Sequence, residues 1–167
     1  MIARRRRPEL PVVAGERLLA WAEGGPGVVV GGTREALYLL DAGRNEPQRI
    51  PWEQVQAADW DSEASILRVS EVGHWGDERP EHRFELEDPR LLLQLVRERV
   101  SASVLLQRHV PVDGRRGLRV IARRASTGER EVAWVYEFDE GIDPDDPVVR
   151  RLAAEALTAA REEIGLT

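Results

Sequence analysis

Three His, thirty acidic residues and five Trp are the side chains with which this 167-residue chain could do chemistry. His74, His82 and His109 do not fall at i, i+4 on a helical pattern, and without Cys no thiolate can complete a zinc set. Lys is absent altogether, which excludes a G-x-x-x-x-G-K-[ST] phosphate loop, and there is no G-x-S-x-G elbow. Gly24-Gly25-Pro26-Gly27 joins two apolar runs and opens no helix, so it reads as a turn rather than a phosphate cradle. The acidic run Glu137, Asp139, Glu140, Asp143, Asp145 and Asp146 lacks the alternating ligand spacing of a calcium loop. It reads instead as capping and dipole charge for a following helix. Asp59, Asp61 and Glu63 could serve as dispersed carboxylates of a hydrolase, a minor reading. The expectation is a non-enzymatic chain with no cofactor and no metal.

Binding chemistry is better represented. Arg115, Arg116, Arg119, Arg123 and Arg124, with Arg108 nearby, form the basic cluster of the C-terminal half. Arg119 and Arg123 fall on one face of a strand with Ile121 between them. The plain reading is a solvated sheet face paired with nearby acids; the functional one is an anion or partner patch. A second candidate is the stretch from Arg49 to Asp61, where Ile50-Pro51-Trp52 is followed by Val55 and Trp60. Its Trp residues could stack a base or sugar. Core packing is the stronger reading: Pro51 cannot donate within a central ladder and so marks a strand end or bend. A four-residue loop at Ser62–Ser65 then sets Trp60 opposite Leu67 as an ordinary cross-strand pair.

Composition limits the partners. The net charge is −6, which argues against a general nucleic-acid binder. All 24 basic residues are Arg, which we attribute to GC-rich codon usage. The Arg4–Arg7 run is followed by no apolar segment, so it is not a signal peptide. No apolar run approaches the ~18 residues of a spanning helix. A cytoplasmic location is expected.

The elements that must position these residues are short. Arg17–Ala22, Val28–Val30, Ala36–Leu40, Val55–Asp61, Ile66–Val72 and His82–Glu87 read as strands without an intervening helix, the pattern of an antiparallel barrel or sandwich. Asp88-Pro89 then opens a helix with Leu92, Leu95, Val96 and Val100 on one face. Val104–Val112, Leu118–Arg124 and Arg130–Phe138 read as a three-stranded meander with turns at 113–117 and 126–129. Pro147 opens a last helix with an apolar stripe from Val149 to Ile164 and Gly165 as its C-terminal cap. The fold class expected is α+β, mainly β. Residues 1–14 read as a flexible basic arm, 15–102 as a barrel with its helix, and 103–167 as a meander plus helix packed on the barrel.

Residues 15–101 resemble a bacterial pleckstrin-homology-like domain of the GRAM type. The resemblance is carried by Gly15-Glu16-Arg17-Leu18-Leu19-Ala20, Val28–Thr33 with Arg34 and Leu37-Tyr38-Leu39, Arg49-Ile50-Pro51-Trp52 with Val55, Leu67-Arg68-Val69, Phe84, and Leu95-Val96 in a terminal helix. It implies a bent antiparallel barrel plugged by that helix. The whole chain is also similar to uncharacterised proteins of high-GC Gram-positive bacteria. Eukaryotic members of the family bind phosphoinositides through basic residues around the first hairpin loop, but Ala22–Gly32 here contains no Arg. The function expected is a protein-binding module for an unknown protein partner. Peripheral binding to an anionic membrane surface through the Arg patches is the alternative.

Overall fold

The computed structural model describes residues 6–73, 78–125 and 131–165. It is mainly β, with three antiparallel sheets and two long helices. The chain divides into two compact units, residues 1–102 and 103–167.

In the first unit, β1 (Ala20–Glu23), β2 (Val29–Gly32), β3 (Ala36–Leu40) and β4 (Gln48–Pro51) form a four-stranded meander. A second meander follows: β5 (Val55–Asp61), β6 (Ile66–Glu71) and β7 (Glu81–Glu85). Helix α1 (Arg90–Ser103) comes next. One core serves all three elements. Leu37, Leu39 and Ile50 come from the first sheet, Leu67, Val69 and Phe84 from the second, and Leu92, Leu95 and Val96 from the helix. The i, i+3, i+4 spacing of the last three puts them on one helical stripe, and burying that stripe is what holds the helix in place.

Pro51 ends β4, as a residue without an N–H should. Trp52, however, does not begin a strand. Trp52–Gln54 form one 3-10 turn, and Val55 then begins β5. The turn drops the Trp52 ring into the core, 2% exposed, with its Nε1 donating to the Thr33 carbonyl at 2.9 Å. Trp60 pairs with Leu67 in register. Asp88 and Pro89 lie one residue outside the expected helix start: Asp88 has φ +42°, and the Pro89 carbonyl accepts from Leu93 N at 2.8 Å.

In the second unit, β8 (Val104–Asp113), β9 (Arg116–Arg124) and β10 (Val132–Phe138) form a meander in the order β10-β9-β8. The expected turn at 126–129 and the start of the third strand at Arg130 lie outside the described residues, as does His74. Helix α2 (Pro147–Glu163) is capped by Asp146, whose carboxylate accepts from Val148 N at 2.8 Å, and Gly165 takes φ +77° just beyond its end. Its buried stripe is Val149, Ala153, Ala156 and Ala160, packed with Leu118 and Val120 of β9. Trp134, Tyr136 and Phe138 of β10 pack partly buried against the same cluster.

The expected mobile arm over residues 1–14 does not describe Leu10, which is 4% exposed and packs with Leu18, Ala36 and Tyr38. The reason is a groove on the outer face of the first sheet that an apolar side chain can fill. Arg6 and Arg7 are exposed, and residues 1–5 lie outside the described residues.

Candidate functional site

A cleft of about 670 Å3 opens in the first unit. Three connections remote in sequence build it: the β1–β2 turn (Gly24, Gly25), the β5–β6 turn (Ser65), and the end of β7 with its passage into α1 (Glu85 to Pro89). Trp60 of β5 also lines it. Ser65 and Asp88, both on its wall, are held at φ +57° and +42°. That left-handed backbone costs a residue with a side chain about 1 kcal/mol or more and persists where the surroundings over-determine it. The surroundings are visible: Leu86 N donates to the Ser65 carbonyl at 3.0 Å, and Glu87 N to the Glu23 carbonyl at 2.9 Å. These bonds tie the β7–α1 passage to both turns. The wall is mixed in chemistry. Trp60, Leu86 and Pro89 are apolar, and Glu85, Glu87 and Asp88 are acidic, with Asp88 paired to Arg90 at 3.0 Å. Among the described residues, no Arg lines the cleft.

The Arg cluster is distributed over several environments. Arg115 and Arg116 are exposed at the β8–β9 turn. Arg119 and Arg123 do share a strand face, as the alternation of β9 requires, while Arg124 lies on the other. Arg119 faces Glu137 at 3.8 Å. Arg123 is 3% exposed and donates to Ser103 Oγ from Nε at 3.1 Å and from Nη2 at 2.6 Å. A guanidinium so placed is a structural group, not part of a solvent-facing patch. Arg108 pairs with Glu163 of α2.

The acidic run is similarly dispersed. Asp139 accepts from Gly117 N at 2.8 Å and faces His109 at 3.6 Å. The backbone bond from Gly117, then the imidazole and the charge of Arg119, hold its pKa below the usual carboxylate value. Asp143 accepts from Asp145 N, and Asp146 caps α2. Asp61 accepts from Glu63 N and Ala64 N, each at 3.0 Å, and so shapes the β5–β6 turn. Among the described residues, no three His, Asp or Glu side chains come together as a metal set. His82 bonds Glu71 at 2.8 Å.

A polar cluster at Glu16 was not legible as a site. Glu16, its side chain 7% exposed, accepts from Thr33 Oγ1 at 2.7 Å and from Tyr38 Oη at 2.8 Å. Arg49 Nε–H is shared between Glu16 Oε2 at 3.0 Å and Tyr38 Oη at 3.2 Å. Burial opposes ionisation of Glu16, but these donors and the Arg49 charge outweigh it, so its pKa lies below the ordinary value. Burial and the neighbouring carboxylate push the Tyr38 phenol up. These bonds fasten the segment before β1 to the β2–β3 turn, β3 and β4.

Comparison with protein-family models, with curated proteins and with solved structures finds no match to this chain. No helix among the described residues is long and apolar enough to cross a membrane.

Proposed function

We propose that residues 15–101 form a pleckstrin-homology-like barrel and that the chain acts as a non-catalytic protein-interaction module. The barrel reading is supported by four strands, then three, then one helix whose Leu92, Leu95 and Val96 enter the core of both sheets. The cleft walled by Trp60, Ser65 and Glu85–Pro89 is the observation that carries the functional reading. Concave sites with an aromatic wall and a few placed polar groups are the usual places for recognition. Its acidic lining disfavours an anionic headgroup and so favours a protein partner over the membrane alternative. The test is quantitative comparison of proteins retained from native cell extract by the wild-type chain and by Trp60→Ala. A set of proteins lost with the indole supports the module. Identical retention removes the cleft from consideration. Salt-sensitive flotation with anionic liposomes, undiminished in Trp60→Ala, would favour the membrane reading instead.

A further inference from the structure

A second surface lies on the outer face of the β1–β4 sheet. The register places Trp21, Gly31, Tyr38 and Arg49 side by side in one row across the four strands. Cross-strand neighbours stand about 5 Å apart, so the missing side chain of Gly31 leaves a slot between two aromatic residues. The slot is filled by the chain itself. A Cβ at Gly31 would lie 2.6 Å from Leu10 Cδ2 and 2.7 Å from Leu18 Cδ1.

The segment that fills it is attached in an unusual way. Residues 6–19 belong to no strand or helix. The backbone bonds of Leu10 to Pro8 and of Glu16 to Val13 are local, while Val13 N reaches the sheet through the Tyr38 hydroxyl at 3.1 Å. Pro8 and Pro11 flank Leu10 and restrict the backbone before binding, and the Leu10 N bond to the Pro8 carbonyl closes a three-residue turn at 8–10. Ala14 and Gly15 are exposed, Gly15 has φ +91°, and nothing lies within 4 Å of where its Cβ would be. That turn lies between the segment and Glu16, and two bonds still join them: Val13 N to the Tyr38 hydroxyl and Glu16 N to the Val13 carbonyl. Residues 8–13 can leave the slot by breaking those two bonds, while the Glu16 carboxylate stays bonded to Thr33, Tyr38 and Arg49.

We infer that the Trp21–Gly31–Tyr38–Arg49 row is a docking groove for a short, proline-bounded segment with a Leu anchor, and that residues 8–13 occupy it as an intramolecular ligand. The partner is another protein carrying a segment of that chemistry, which must displace the chain's own. Aromatic-walled grooves take preformed segments because little conformational entropy is lost on docking. This groove is distinct from the cleft and stands whether or not the cleft is used.

The probe is a synthetic peptide of residues 6–16, titrated into the 15N-labelled full chain and followed by NMR. The wild type should respond weakly, since its own segment competes at millimolar effective concentration. Leu10→Ser should bind the peptide about tenfold more tightly or better, with shifts at Gly31, Tyr38 and the Trp21 indole, and the same peptide carrying Leu10→Ser should not bind. Equal affinity of the two chains, or shifts elsewhere, would overturn the inference. Should Leu10→Ser fail to fold, hydrogen exchange in the wild type decides: the amides of Glu9, Leu10, Val12 and Val13 should exchange faster than those of β2 and β3, and equal protection would overturn displaceability. A wild-type dimer that dissociates on Leu10→Ser would overturn the foreign partner and make a second copy the occupant.

Discussion

Helices α1 and α2 each cover sheet, but with opposite kinds of side chain. α1 brings Leu92, Leu95 and Val96, and the residues around them, among them Leu37, Ile50 and Leu67, are essentially inaccessible. α2 fully buries one Val and a stripe of Ala, its Leu152 and Leu157 pack only partly buried, and the large side chains opposite, Trp134, Tyr136 and Phe138, stay partly exposed. Small side chains cover less apolar area, and hydrophobic stabilisation scales with area removed from water. The second unit compensates with polar and mixed contacts: Tyr136 Oη donates to the Ala153 carbonyl at 3.3 Å, Arg161 lies 5.9 Å from the Trp134 ring, and Arg108 pairs with Glu163. The first unit is thus held by volume, the second by a thinner apolar layer edged with polar contacts.

The largest effect is expected where volume matters most. Leu92→Ala should cost about 2–5 kcal/mol in denaturant unfolding, since a filled core collapses poorly around a cavity. A loss below about 1 kcal/mol would mean α1 is not part of the core. Next is the buried carboxylate. Glu16→Gln should cost about 1.5–3 kcal/mol, the range for hydrogen bonds to charged groups. Because the folded pKa of Glu16 is lowered, its contribution is full above the ordinary value of about 4.3 and is lost as pH falls through the folded value. Glu16→Gln should therefore lessen the fall of melting temperature with acid, and an unchanged acid limb would show that Glu16 is not the titrating group.

Val149→Ala in α2 should cost less than Leu92→Ala, about 1.5–2.5 kcal/mol for two buried methyl groups. A larger loss than Leu92→Ala would invert the comparison. The smallest effect belongs to the rim. Arg161→Ala should lose about 0.5–1 kcal/mol through its contact with Trp134, measured in the same unfolding series; a loss above 2 kcal/mol would make that contact a principal support.

What the sequence disclosed follows from the range of its signals. The Trp60–Leu67 pair was legible because a four-residue loop fixes the register of a hairpin, and the α1 stripe because a 3.6-residue period needs no tertiary information. The β4 strand and the 3-10 turn at Trp52 were not legible, since Gln48-Arg49-Ile50-Pro51 is too short to alternate convincingly. Leu10, alone between two prolines, has no period at all; only Gly31, twenty-one residues on, makes a place for it. The cluster of Glu16, Thr33, Tyr38 and Arg49 and the cleft at Trp60 are assembled from distant turns and strands. Arg123 misled for the same reason: alternation gives a face, but not what lies over it.

The direct test of the functional account sets the cleft against the Arg turn. A photo-crosslinking amino acid is placed at Ser65 in one copy of the chain and at Arg115 in another, and adducts formed in native cell extract are compared. The account predicts a discrete, saturable protein adduct from position 65 that is lost when Trp60→Ala is added, and none of that mass from position 115. A discrete adduct from 115 with none from 65 would contradict it.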